Sequence, residues 1–217
     1  MTTPRLVVVA RAPVPGRCKT RLCPPLTPAE AALVAEAALV DTLEAVAGAA
    51  TCRPLLALDG EPGDWFHPGF DLVAQRGDGL DERLAAAFED AAGPAVVIGM
   101  DTPQVASALL GRAVAMLSDS EVDAVLGPAV DGGWWALGLR RPDPNALLGI
   151  PMSRPWTGRF QRARLRALGL RVRELPARRD VDRIGDALAV ASEVPASRFA
   201  AAMSSWARLR TRAGAAS

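Results

Sequence analysis

The chain has 217 residues, 50% of them hydrophobic and 23% charged, with a formal net charge of +1. That size and composition predict one globular domain, 1–217, able to bury a core without metals or disulfides, and the near-neutral balance excludes an overall field that recruits nucleic acid or an anionic membrane. No apolar run approaches the ~20 residues of a membrane helix, and Cys18, Cys23 and Cys52, odd in number and without C-x-x-C, argue against a disulfide framework and for the cytoplasm.

The elements alternate between strand-sized apolar runs and helical stretches, the pattern of βαβ units and a mostly parallel sheet. Leu6 to Ala10 is predicted as the first strand, too short and too soon charged for a secretory segment. A Pro- and Arg-rich loop follows over 11–26. Thr27-Pro28-Ala29-Glu30 has the form of a capping box with proline at the first helical position, opening a helix to about Gly48. Leu55 to Leu58 and Leu72 to Ala74 read as strands, and Leu80 to Ala92 as a helix. Ala95 to Met100 is the strongest buried-strand signal, running into Asp101-Thr102-Pro103 and a helix to about Leu117. Val122 to Leu126 is another strand. Asp131-Gly132-Gly133 then leads into Trp134 to Leu139. A helix near 157–168, a strand Arg171 to Leu175, Asp180-Val181-Asp182 and helices near 183–193 and 196–210 complete the chain, with 213–217 expected to fray.

Several chemistries are excluded by what the sequence lacks. His67 is the only histidine, so H-E-x-x-H and multi-histidine metal sites cannot be built, and no G-x-S-x-G elbow exists for a Ser-His-Asp triad. Gly16-Arg17-Cys18-Lys19-Thr20 resembles the end of a P-loop, but Cys18 stands where the glycine before the lysine belongs. No G-x-G-x-x-G follows the first strand. Carboxylate and metal chemistry remains.

Three strand exits carry that chemistry, and open α/β sheets bind ligands at such exits. Arg11, Arg17, Lys19 and Arg21 crowd one loop stiffened by Pro13, Pro15 and Gly16, which suits either a diphosphate or solvent. Lys19 is the only lysine of the chain, a point charge that arginine does not imitate. Asp101, at the end of the best buried strand, is either a ligand for a hard divalent cation or a cap for the following helix. Asp131-Gly132-Gly133-Trp134 offers backbone approach and an aromatic face for a sugar or base, or else a tight turn over core tryptophans. Asp180 and Asp182 form a further carboxylate pair.

These residues resemble a known family. Ala10-Arg11-Ala12-Pro13-Val14-Pro15-Gly16-Arg17-Cys18-Lys19-Thr20-Arg21-Leu22 is similar to the K-x-P-x-P-G-x-x-K-T-R-L opening of a bacterial family of GT-A-like glycosyltransferases, related to the guanylyltransferases of molybdenum-cofactor and phospholactate metabolism. Gln75 with Gly79 to Leu84, Gly99 to Pro103, Leu126 to Trp134 and Asp180-Val181-Asp182 match in order along nearly the whole chain. Arg11, Asp81 and Met100 depart from its usual lysine, glycine and serine.

The resemblance implies a three-layer, Rossmann-like nucleotide-diphospho-sugar transferase (GT-A) fold. Arg11, Pro13, Gly16, Arg17, Lys19 and Arg21 are then expected to hold the donor phosphates. Gln75 and Gly79 are expected near the base, and Gly132 and Gly133 on the sugar or acceptor side. Asp101, with Asp182, is expected to ligate Mg²⁺ or Mn²⁺, and Asp131 with Lys19 to be catalytic. The expected reaction is metal-dependent transfer from a nucleoside-diphosphate sugar to a small-molecule acceptor. The rivals are nucleotidyl transfer from GTP or CTP to a phosphorylated small molecule with release of pyrophosphate, and a non-catalytic nucleotide-binding module.

Overall fold

The computed structural model describes residues 3–214. A seven-stranded sheet in the order β3-β2-β1-β4-β6-β5-β7 forms the centre. Its strands are β1 (Arg5–Arg11), β2 (Leu55–Asp59), β3 (Asp71–Ala74), β4 (Ala95–Gly99), β5 (Ala124–Pro128), β6 (Trp134–Leu139) and β7 (Val172–Glu174). The predicted strands are all present, because continuous runs such as Val96-Val97-Ile98 are buried on both faces of a layered sheet.

The sheet is mostly parallel, with β6 antiparallel to both β4 and β5. Only the residues 129–133 join β5 to β6, too few for the crossover that a parallel neighbour requires. β1 lies between β2 and β4, so the chain leaves it toward one edge and later returns on its other side. That reversal opens a crevice at the carboxyl ends of β1 and β4.

The helices are α1 (Pro28–Ala49), α2 (Leu80–Asp90), α3 (Ser107–Ser118), α4 (Thr157–Ala167), α5 (Ile184–Glu193) and α6 (Arg198–Gly214). The capping box at α1 forms as the sequence predicts. The Glu30 amide donates to Thr27 Oγ1 at 3.2 Å, and the Thr27 amide donates to Glu30 Oε2 at 2.7 Å. The helix expected directly after Pro103 begins only at Ser107, and Ala106 precedes it without a side-chain cap. Asp101 therefore does not cap α3, and of its two alternatives the capping role is removed. Ala213 and Gly214, expected to fray, continue α6, whereas 215–217 lie outside the described residues.

Apolar clusters fill both faces of the sheet, one beneath α1 and α3, the other beneath α2 and α4. A third cluster joins α1, α5 and α6 and takes in Leu22, Leu26 and Val181. Leu22 is 0% exposed and Val181 1%. Burying such side chains contributes roughly 1.5–3 kcal/mol each. It also ties the basic loop and the Asp180–Asp182 segment to one core. Among the described residues no helix is long and apolar enough to cross a membrane.

Candidate active site

A cleft of about 680 Å³ opens at the exits of β1 and β4. Arg11, Arg17, Lys19, Arg21, Gln75, Asp101, Asp131, Gly133, Trp134 and Asp182 line it, as do Asp59, Arg83, Arg154 and Asp180. Pro13, Gly16, Gly79 and Gly132 do not. Pro13 and Gly16 shape the loop from outside the cleft, Gly16 with φ +76°. Gly79 precedes α2, and its neighbours Leu80, Arg83 and Leu84 reach the cleft in its place.

Lys19 stands in the left-handed region, φ 48°, a conformation costly for a residue with a Cβ. The short 3-10 turn Thr20–Leu22 follows at once and is anchored by buried Leu22. This turn sends the lysine back toward the exit of β4. Its Nζ lies 2.7 Å from Asp101 Oδ1 and also donates to the Val181 carbonyl. The Val181 amide in turn donates to the Asp101 carbonyl at 2.8 Å. The cationic loop and the acidic strand tip thus meet on one side of the molecule.

The other cations of the cleft divide into paired and unpaired ones. Asp59 Oδ2 accepts from Arg11 Nε at 2.9 Å and from Arg83 Nη1 at 3.1 Å. Burial pushes the Asp59 carboxyl up, but the two guanidiniums outweigh it and hold the group below its ordinary value. Arg21 Nη1 donates to both oxygens of Asp182, at 3.0 and 2.9 Å. Arg17 and Arg154 have no acidic partner among the described residues.

Asp180 is the exceptional carboxylate. Its Oδ1 is sealed from solvent without a hydrogen-bond partner. Burial, reinforced by the charges of Asp101 and Asp131, pushes its carboxyl up to about 8. The sequence put Asp182 forward as the metal ligand of the D-V-D segment, yet Asp182 is engaged by Arg21, and Asp180 holds the free, enclosed oxygen. An orphaned hard oxygen amid other carboxylates is the donor chemistry of a divalent-cation site. Among the described residues no three such groups lie close enough to enclose an ion, and the Lys19 ammonium is the partner of Asp101.

Asp131 is exposed, and its Oδ1 accepts from the Gly133 amide at 2.9 Å, which orients the carboxylate within its turn. Gly132 is required by that turn. At φ +91°, a Cβ there would come within 1.8 Å of the Pro155 carbonyl oxygen. The Gly158 amide donates to the Gly132 carbonyl at 2.8 Å, locking the Asp131 turn to the start of α4 and setting Arg154 beside it. Both donors of Gln75 are used by main chain: Nε2 donates to the Ala10 carbonyl at 2.7 Å and the Ala57 carbonyl at 3.1 Å. Only its Oε1 remains for a ligand. Trp134 borders the cleft with its Nε1 enclosed and unpartnered, whereas Trp135 is buried and donates to the Pro176 carbonyl at 3.1 Å.

His67 lies away from the cleft, its Nδ1 accepting from the Gly69 amide at 3.0 Å. Asp59, Arg83 and Arg154 were missed by the sequence reading. Asp59 was findable, since it ends an apolar run as Asp101 does. Arg83 lies inside the matching segment Gly79 to Leu84 but was given no role there, and Arg154 ends no apolar run.

A mostly parallel sheet with a charged cleft at its switch point defines an open α/β fold with its cleft where such sheets bind ligands. The chain belongs to DUF2064, described as uncharacterized protein conserved in bacteria, whose signature matches residues 42–154. The match takes in Asp101 and Asp131 and leaves out Lys19 and Asp180. No curated protein matches the sequence. Among solved structures, a candidate nucleotide-diphospho-sugar transferase from Desulfovibrio desulfuricans G20 is 25% identical, with a TM-score of 0.86 over 98% of each chain. Rv0371c from Mycobacterium tuberculosis H37Rv, in complex with manganese, is 22% identical, with a TM-score of 0.54 over 87% of this chain and 98% of that one. A cytidylyltransferase from Leptospira borgpetersenii is 11% identical, with a TM-score of 0.53 over 97% of this chain and 96% of its own. The last two share the fold.

Proposed function

We infer that this protein is a metal-assisted transferase that uses a nucleoside-diphosphate sugar to glycosylate a small-molecule acceptor, working in the cytoplasm as one domain. The observation that carries this reading is the 2.7 Å contact of Lys19 with Asp101, which joins a cation-rich loop and an acidic strand tip on one cleft. The likeness to a candidate nucleotide-diphospho-sugar transferase over nearly the whole chain supports it, as does the resemblance to GT-A-like glycosyltransferases.

In this reading Lys19 and Arg17 hold the diphosphate, with Arg11 and Arg21 at its edge. Asp101 and Asp180 hold Mg²⁺ or Mn²⁺, Asp180 taking the part the sequence gave to Asp182. The bound ion supplies charge stabilisation for the departing diphosphate. An acceptor hydroxyl oxygen bonds to the anomeric carbon while the carbon–oxygen bond to the diphosphate breaks, the electron pair leaving with the phosphate. Asp131, oriented through Oδ1, takes the acceptor proton. Most of the acceleration comes from positioning and charge stabilisation.

Nucleotidyl transfer is the second reading. Asp101, Asp131 and Asp180, all lining the cleft, favour it, because they are carboxylates enough for a second divalent ion, which would offset the greater negative charge of a triphosphate. Incubation with UDP-, GDP-, CDP- and ADP-sugars, and separately with GTP and CTP, each with Mn²⁺, decides between them. Release of nucleoside diphosphate from one sugar nucleotide is the expected result. Pyrophosphate release from a triphosphate in the presence of a sugar phosphate establishes the second reading. Binding of both ligand types without turnover over a wide acceptor panel makes the protein a binding module.

A further inference from the structure

The carboxylate end of the cleft is neutralised by the protein's own lysine. The Lys19 side chain is only 10% exposed, and its ammonium touches Asp101 Oδ1 and the Val181 carbonyl. The lysine end of this pair is withdrawn from water and the Asp101 end is half exposed, so the pair is screened less than one wholly on the surface. Arg11, Arg21 and Arg83 are committed to Asp59 and Asp182, so none of them replaces Lys19 at Asp101. Asp180 and Asp131 have no cation at ion-pair distance among the described residues.

A divalent ion that takes Asp101 must break the lysine pair and then tolerate an ammonium beside it. Both effects oppose binding of the ion alone. A diphosphate reverses them, since its oxygens offer the ammonium three charge-assisted hydrogen bonds. We propose that Lys19 is a resident counter-ion that keeps a divalent cation off Asp101 until a diphosphate-bearing ligand draws the ammonium away, so that metal and nucleotide bind in mutual dependence. The inference rests on the metal-assisted reading of the cleft and adds the order and coupling of binding. The coupling is reciprocal: whatever the ligand gains from the metal, the metal gains from the ligand.

The single lysine makes the swap observable in the intact protein. Wild-type protein labelled with carbon-13 at lysine Cε gives one lysine signal. The signal is expected to stay in place with Mg²⁺ alone and to move with inorganic pyrophosphate plus Mg²⁺. In parallel, Mn²⁺ titrations without any anion, followed by electron paramagnetic resonance, compare wild type with Lys19→Met. The variant is expected to bind Mn²⁺ about ten-fold more tightly or better. A folded Lys19→Met with unchanged or weaker Mn²⁺ affinity overturns the proposal. So does a lysine signal moved by Mg²⁺ alone, a result that holds whether or not the variant folds. Tight Mn²⁺ binding by the wild type without an anion also overturns it while leaving the metal-assisted reading intact. Failure of wild type and variant alike to bind Mn²⁺, with or without pyrophosphate, overturns both.

Discussion

Asp180 is held at a cost in the ligand-free protein. One of its oxygens is enclosed without a donor, and its carboxyl faces Asp101 and Asp131. Asp180→Asn keeps the shape and is neutral without the proton that a carboxyl raised to about 8 must take up on folding at neutral pH. An unsatisfied buried polar group costs about 1–3 kcal/mol, and for a chain of this length each kcal/mol moves the melting temperature by roughly 2–4 °C. The variant is therefore expected to melt a few degrees above wild type at neutral pH without ligand. Added Mn²⁺ with a nucleoside diphosphate should then stabilise it less than it stabilises wild type. Differential scanning calorimetry of the two proteins, with and without the ligands, checks both parts. A ligand-free variant that melts lower contradicts the view of Asp180 as a functional rather than a structural carboxylate. The choice between Asp180 and Asp182 was not legible in the sequence. Both acids flank buried Val181, and only the guanidinium of Arg21, distant in sequence, singles out Asp182 as the paired one. Lys19 and Asp101 were legible, because each closes a strand exit and the lysine is unique in an arginine-rich chain.

Short elements at the sheet edge depend on side chains for what their length cannot supply. β7 has three residues, and Asp123, just before β5, holds the chain that leads into it. Asp123 Oδ2 accepts from the Arg171 amide at 3.0 Å and from its Nε at 2.7 Å, while Oδ1 accepts from Nη2 at 3.1 Å. These bonds hold the Asp123 carboxyl down at about 2, against an ordinary value of 3.8. A depressed carboxyl stabilises the fold above its unfolded value and loses that contribution as pH falls toward the folded value. Asp123→Asn should thus cost about 1 kcal/mol at pH 7, the pair being partly screened by solvent. The deficit should shrink as the pH drops below about 4 and vanish near 2, as urea unfolding at several pH values will show. A deficit constant with pH points to packing instead. At this scale the strands were readable from apolar runs and α1 from its capping box. The direction of β6 was encoded too, in a connection too short for a crossover. The start of α3 was not, because Thr102 and Pro103 imitate a helix opening while the Gln104 side chain donates to the Arg179 carbonyl at 2.7 Å and the segment stays irregular.

The molecule is built on one sheet whose two flanks meet over one cleft, and the meeting is made by apolar anchors rather than by the charges themselves. Leu22 and Val181 are buried in the same cluster against α1, α5 and α6. The basic loop and the Asp180–Asp182 segment are thereby fixed before any ligand arrives, the preorganisation that electrostatic catalysis requires. Ligand binding then adds to global stability by mass action. At one hundred times the dissociation constant the gain is about 2.7 kcal/mol, which corresponds to roughly 5–10 °C in a chain of this size. A nucleoside diphosphate alone should draw on the cationic loop and give a modest, concentration-dependent shift that weakens with salt, because the guanidiniums of that loop are exposed. Mn²⁺ added to the nucleotide should raise the melting temperature further in wild type. Asp101→Asn should enlarge the first increment, because it frees Lys19 for the diphosphate, and lose the second, because it removes a carboxylate from the metal side. Equal metal-dependent shifts in the two proteins would mean that the ion rides on the nucleotide without touching Asp101, and the cleft would then have to work through its cations alone.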